Sequence, residues 1–276
     1  MKIDAHQHFW KYNPEEYSWI TDELMVIKRD FLPQHLQPLL KANGYDSCIA
    51  VQARQTIEET NWLLGLANQN SFIKGVVGWV DLRSNILEQT LEELAENKKL
   101  VGVRHVVQDE PDNDFMLRQD FKNGIALLEK FSLTYDILVF PKQLSAAIEL
   151  AKTFPNQPFV IDHIAKPDIK SGRTEEWKKN IRPFKDLDNV KCKISGMVTE
   201  ADWANWSSSD FTPYLDVIVE TFGTKRIMYG SDWPVCLLAA DYAKMSKITK
   251  EYFAAFSQTE QDDIYGKNCE RFYLNR

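Results

Sequence analysis

Two histidines, His6 and His8, stand one residue apart almost at the start of the chain, in "MKIDAHQHFW". On a β-strand, side chains two apart share a face, so both imidazoles would point the same way and could grip one ion or one substrate atom. On a helix this spacing would splay them, because helical neighbours lie three or four residues apart. Taken alone, the pair is explained equally well by a half-buried strand with incidental histidines. The other chemistry-bearing residues must decide.

Those residues recur at one end of successive apolar runs. "DSCIAVQA" leads into Gln52 and Arg54, and "LVGVRHVV" carries Arg104 and His105. "PFVIDHIAKP" supplies Asp162, His163 and Lys166, "VKCKISGM" supplies Ser195, and "RIMYGSDWP" supplies Ser231 and Asp232 before Trp233. Each has an ordinary explanation. Asp232 could cap a turn, His163 could be a satisfied core histidine, and Arg104 could pair with a structural carboxylate. Gln52 could be polar packing, and Lys166 a solvated residue before Pro167. Coincidence does not explain why all choose the same end. Four of the five histidines fall there; His35 does not, and reads as an ordinary helix residue.

The elements that must position them are short and regular. Besides the first run and those above, "IKGVVGWVD" and "LTYDILVF" complete eight candidate strands. Amphipathic stretches such as "TIEETNWLLGLANQN" and "KQLSAAIELAKTF" lie between them. Continuous apolar runs suit parallel strands covered on both faces. The pattern predicts a (β/α)8 TIM barrel, one domain over residues 1–276, with its chemistry at the carboxyl ends of the strands. A doubly wound sheet would show a glycine-rich fingerprint after the first strand, and none is present. Asn85 is predicted to cap a helix, Pro33 and Pro141 to begin helices, and Pro213 to lie in a first turn. The aromatic and charged segment from Asn13 to Asp30 is predicted to fold over the barrel mouth.

Composition narrows the function classes. A formal charge of −7 over 276 residues argues against a nucleic-acid binder, whose footprint is basic. No apolar run reaches membrane-spanning length and the first residues lack a secretion signal, so a cytoplasmic protein is expected. Cys48, Cys192, Cys236 and Cys269 show no CxxC spacing, which points away from a zinc knuckle or a disulfide framework. Cys48 and Cys192 sit in apolar runs and are expected as buried, reduced thiols.

The order "DAHQH", "DHIAKP", "YGSDWP", closed by "IYGKNCERFY", resembles the amidohydrolase superfamily. More narrowly, "DAHQHFW", "VGVRHVVQDEP" and "YGSDWPV" resemble its amidohydrolase-related group of sugar-lactone hydrolases, over essentially the whole chain. The resemblance implies a divalent metal, usually zinc, on His6, His8 and Asp232, with His163 a further ligand or a polariser of the carbonyl. One departure matters: Arg104 and His105 stand where a lysine or glutamate would bridge two metals. That implies one metal, or none, as in related lactonases of the superfamily that work without one.

The expected activity is hydrolysis of an aldonolactone such as L-fuconolactone. Asp232 would be the base, its proton affinity raised by desolvation beside Trp233. His163 and His8 would steady charge on the carbonyl oxygen. Gln52, Arg104, His105 and Lys166 would meet the sugar hydroxyls, with Trp10 and Trp233 offering flat faces to the ring. The expected partner is this small molecule, with no nucleic acid or membrane, and a homo-oligomer is compatible. The alternatives are a metal-dependent decarboxylase of an aromatic or unsaturated acid on the same barrel, and a barrel that only binds a sugar acid.

Overall fold

All eight apolar runs form strands in the computed structural model, which describes residues 1–275. They are β1 (Ile3–Gln7), β2 (Ser47–Val51), β3 (Ile73–Gly78), β4 (Leu100–His105), β5 (Thr134–Ile137), β6 (Phe159–Ile161), β7 (Val190–Ile194) and β8 (Ile227–Tyr229). They pair in parallel and in chain order within one sheet. Helices α1 (Pro33–Ala42), α2 (Ile57–Gln69), α3 (Leu87–Ala95), α4 (Gln119–Leu128), α5 (Leu144–Thr153), α6 (Glu175–Ile181) and α7 (Ser208–Phe222) fill the crossovers, and α8 (Tyr242–Tyr252) follows β8. This is the predicted (β/α)8 barrel.

Strand alternation sorts side chains into two cores. Ile49, Val51, Val160 and Met228 join a small inner cluster, while their neighbours Cys48, Ala50, Phe159, Ile161, Ile227 and Tyr229 pack in the large outer one. Asp136 and Lys193 are fully buried between outer-cluster residues, Tyr135 and Ile137 on β5 and Cys192 and Ile194 on β7. They therefore point inward, placing charge inside the barrel.

The seam between β1 and β8 is made by the residues of interest. Gln7 bridges Trp233, the His8 N–H donates to the Trp233 carbonyl at 2.7 Å, and the Asp232 N–H donates to the His6 carbonyl at 2.8 Å. Beneath them the buried Asp4 carboxylate accepts from the Ser231 N–H (2.8 Å) and hydroxyl (2.6 Å), the Tyr242 hydroxyl (2.9 Å) and the His6 N–H (3.2 Å). Closing the barrel thus fixes His6, His8 and Asp232 relative to one another.

Several local expectations hold and two do not. Pro33 opens α1, and Pro141 opens the short 3-10 turn leading into α5. His35 accepts from the Leu32 N–H at the start of α1, a helix-capping role. All four cysteines are free and buried. Asn85 caps nothing: α3 begins at Leu87, and the Ser84 hydroxyl accepts from the Ile86 N–H instead. Pro213 lies in the second turn of α7 rather than its first. Among the described residues, no helix is long and apolar enough to cross a membrane.

Candidate active site

A cavity of about 950 Å³ opens at the carboxyl ends of the strands, and His8, Gln52, Arg104, His163, Lys166 and Asp232 line it. The acceptor atoms converge closely. His6 Nε2 and His8 Nε2 are 3.2 Å apart, and Asp232 Oδ1 lies 3.3 Å from His8 Nε2 and 3.8 Å from His6 Nε2. His8 Nδ1 is 2.8 Å from the Val51 carbonyl, which can only accept, so Nδ1 carries the proton and Nε2 presents a lone pair. Three buried, acceptor-rich groups pointed at one another suit a cation, and nitrogen and carboxylate donors suit zinc. The residues present fit a single divalent ion.

Two of the central residues sit on backbone that side chains seldom adopt. Asp232 has φ +57°, and the consecutive residues His163, Ile164, Ala165 and Lys166 have φ between +49° and +60°. A left-handed conformation costs an L-residue about 1–2 kcal/mol, and the β-branched Ile164 is an unusual occupant. The turn is held by the Trp177 indole, which donates to the Ile164 carbonyl at 2.8 Å. It delivers both His163 and Lys166 to the cavity. His163 Nδ1 meets the Ser195 hydroxyl at 2.9 Å, and its Nε2 lies 3.9 Å from Asp232 Oδ1.

Burial pushes the His163 imidazole down to about 4 and holds His6 well below its ordinary value, so both are neutral near pH 7. Burial alone would raise Asp232, but His163, His8 and His6 lower it below the usual range, an effect that belongs to the acid range in which these rings carry a proton. The expectation that desolvation beside Trp233 raises Asp232 is not met, because the surrounding imidazoles, once protonated, oppose it. The sign of one consequence is testable. The unfolded chain protonates His163 below about 6.5, the folded chain only near 4, so stability tied to this group is lost as pH falls between them. In chelator-treated protein, the unfolding free energy of wild type relative to His163→Gln should drop by about 3 kcal/mol from pH 7 to pH 4. A difference that stays flat, followed by urea titration, would show the ring is not held neutral.

The remaining sequence candidates divide. Arg104 is buried; its Nη1 reaches Asp162 Oδ2 at 3.0 Å and its Nη2 reaches Gln52 Oε1 at 3.1 Å. His105, the next residue, faces the other way. It stacks on Phe115 with ring centroids 5.0 Å apart, bonds Glu110 Oε1 at 2.7 Å, and does not line the cavity. Adjacent strand residues cannot both point inward, which corrects the expectation for His105. Trp10 and Trp233 are also corrected: both are buried and neither lines the cavity. The Trp10 indole donates to the Arg29 carbonyl at 2.9 Å, and its backbone bridges Phe31, pinning the base of the 13–30 segment. Trp233 packs against Phe9 and Phe31. The flat faces come instead from Trp19 and Trp203, each about two-fifths exposed on the cavity wall.

Sequence reading also missed the ions within the barrel. Lys193 Nζ bonds Asp136 Oδ2 and lies 3.0 Å from Asp162 Oδ1. Burial disfavours the ammonium, but Asp136 and Asp162 outweigh it and raise Lys193; Asp162, which burial would raise, is held well below its usual range by Lys193 and His6. The available signal was a charge inside a mostly apolar strand run, Asp136 in "TYDI" and Lys193 (after Lys191) in "VKCKI", since such residues are seldom buried unpaired.

A parallel (β/α)8 barrel with imidazole, carboxylate and guanidinium groups gathered at its carboxyl-end mouth is the architecture of a barrel enzyme. More particularly, the chain belongs to the amidohydrolase family, whose model matches residues 3–274. It is 38% identical to an L-fucono-1,5-lactonase of Burkholderia multivorans, covering 99% of this chain and 96% of that one. It is 39% identical to an L-fucono-1,5-lactonase of Burkholderia ambifaria, over 87% and 83% of the two chains. The crystal structure of an amidohydrolase from Burkholderia multivorans with bound zinc superposes with a TM-score of 0.96 at 38% identity, covering 99% of each chain.

Proposed function

We propose that the protein is a hydrolase that opens a sugar lactone, with L-fucono-1,5-lactone the first substrate to test, releasing the sugar acid. The observation that carries this reading is the Asp232 carboxylate ringed by His6, His8 and His163 at the foot of the cavity. The two L-fucono-1,5-lactonase relatives, similar over most of the chain, support the substrate class.

Asp232 acts as the base that takes a proton from the attacking water and returns it to the ring oxygen as the alkoxide leaves. With the Ser195 hydroxyl donating to Nδ1, His163 presents an Nε2–H to the carbonyl oxygen, and Arg104 adds a fixed positive charge nearby. Such preorganised donors are worth about 3 kcal/mol each. His6, His8 and Asp232 would hold one zinc ion, which when bound acidifies water and withdraws charge from the carbonyl. Gln52 and Lys166 meet hydroxyls, and Trp19 and Trp203 flank the ring.

The charges of the wall favour a neutral substrate over an anionic one. Each cation lining the cavity is already paired: Arg54 with Glu16 (2.6 Å), Arg104 with Asp162 (3.0 Å) and Lys166 with Glu200 (3.1 Å). Glu15, Glu58 and Asp109 add negative charge at the rim. A lactone enters uncharged and leaves as a carboxylate, so this wall admits substrate and repels product. The same wall disfavours the aromatic acid that a decarboxylase of this fold would need.

The test is a panel of aldonolactones, a pyrone dicarboxylate and a dihydroxybenzoate, run before and after exhaustive chelation. The neutral 1,5-lactones should be opened, with product inhibition constants about tenfold or more above KM. Because His163 and Arg104 face the carbonyl without a metal, chelation should slow turnover about 10- to 100-fold without abolishing it. Turnover of only the anionic compounds, or of none, would overturn the reading.

A further inference from the structure

A second donor triad in this site already contains a cation. His6, Asp162 and His163 offer ligand atoms within 4.8 Å of one another, as His6, His8 and Asp232 do, and the two triads share His6. Lys193, on β7, is completely buried, with its Nζ 3.0 Å from Asp162 Oδ1 and 3.2 Å from His6 Nδ1. Asp136 closes the other side of the ammonium, and the Tyr273 hydroxyl bonds the Asp136 carboxylate at 2.7 and 2.9 Å. Asp162 is thus held at both oxygens, by Lys193 at Oδ1 and by Arg104 Nη1 at Oδ2.

We propose that Lys193 is a positioning residue for His6, and that its ammonium takes the place a second metal ion would fill, so the site holds one ion only. His6 Nδ1 lies 3.3 Å from Asp162 Oδ1, which can only accept, and 3.2 Å from the Lys193 ammonium, which can only donate, so these two groups hold the ring from either side. When Nδ1 carries its proton toward Asp162, Nε2 turns its lone pair toward His8, Asp232 and the Arg104 Nη1 at 3.3 Å, the orientation a metal ligand requires. Lys193 and Arg104 grip the two oxygens of Asp162 and hold the carboxylate in place against the ring. A dication in the His6–Asp162–His163 triad would stand beside the ammonium in a water-poor interior, where like charges repel strongly. The arrangement also accounts for a lysine buried in mid-strand: its charge is tethered where a mobile cation would otherwise be needed. This deepens the metal reading above and rests on it for His6 as a ligand.

The test uses zinc itself, counted by mass spectrometry after equilibrium dialysis, with affinity measured against a chromophoric chelator. Removing Lys193 alone strands two buried carboxylates and risks the fold, so the first variant is Lys193→Met/Asp136→Asn, which removes one charge of each sign at nearly constant volume. Wild type should bind one zinc. The double variant should fold, with zinc affinity and kcat each reduced about 10- to 100-fold and KM little changed. Lys193→Ala, where it folds, should take up a second zinc that Lys193→Arg does not. A double variant keeping wild-type zinc affinity would reduce Lys193 to a neutraliser of Asp136 and overturn the proposal. So would a wild type binding two ions or none, or a folded Lys193→Ala that binds only one. The zinc stoichiometry and affinity do not depend on lactone turnover, so a wrong substrate class would show in wild-type activity while leaving them intact.

Discussion

Asp232→Asn should abolish lactone opening, lowering kcat by at least about 10³-fold, in a protein that melts within a few degrees of wild type. The substitution is close to isosteric, and asparagine is among the few residues at ease in a left-handed conformation, so the φ of +57° at this position is retained. The seam survives as well, because the Asp232 N–H that donates to the His6 carbonyl belongs to the backbone. What disappears is the negative charge among three imidazoles and the only site on this residue able to accept and return a proton. Zinc affinity should fall in parallel, since an amide oxygen is a poorer ligand than a carboxylate. Retention of native turnover would remove Asp232 from the reaction. Steady-state kinetics on L-fucono-1,5-lactone beside a thermal melt is sufficient to decide.

Gly196→Ala should be nearly as damaging, although position 196 bears no functional group. Gly196 has φ +63°, and a Cβ there would stand 2.5 Å from His163 Nδ1 and 2.7 Å from its Cγ. Both distances are far inside contact, and the ring cannot retreat easily, because its own residue sits in the left-handed turn anchored by Trp177. The methyl would push the imidazole off the Ser195 hydroxyl and change its approach to Asp232. Left-handed strain of about 1–2 kcal/mol adds to overpacking of about 1–3 kcal/mol. The expected outcome is about a 100-fold loss in kcat and a clearly lower melting temperature. Gly196→Ala with native kcat would mean that the orientation of His163 is not needed for the reaction.

The sequence made the frame and the centre of the site legible, for physical reasons that also explain the misses. Eight apolar runs with polar residues at one end identify a parallel barrel and its working face, because that face must gather residues from many strands. His6, His8, His163 and Asp232 were singled out this way, and barrel closure between β1 and β8 brings His6, His8 and Asp232 together, with His163 delivered by the turn after β6. His105 was misassigned because a strand end was treated as a point, whereas alternation lets Arg104 in and turns His105 toward Phe115. Trp10 and Trp233 were misassigned because an indole beside a functional residue can serve equally as its packing. Which tryptophan faces the cavity depends on how the 13–30 and 199–210 segments fold over the mouth, a long-range matter no local pattern encodes. Asp136 and Lys193 were overlooked because each is a charge within a mostly apolar run. Their meaning lies in a pairing across β5 and β7, some 57 residues apart in the chain.

The acid–base character of Asp232 was misread for a similar reason. Desolvation is visible from apolar neighbours in sequence, but the three imidazoles that outweigh it come from β1 and from the turn after β6. In the proposed mechanism Asp232 passes the water proton on to the leaving ring oxygen within the same turnover. Zinc, where held, would assist by acidifying the water rather than by replacing Asp232.

The most direct measurement is proton release from L-fucono-1,5-lactone by the purified wild-type protein, run in ¹⁸O-enriched water. The expected kcat/KM is about 10⁴ M⁻¹s⁻¹ or higher, with one solvent oxygen appearing in the product carboxylate. A rate no faster than spontaneous ring opening would contradict the proposed activity outright.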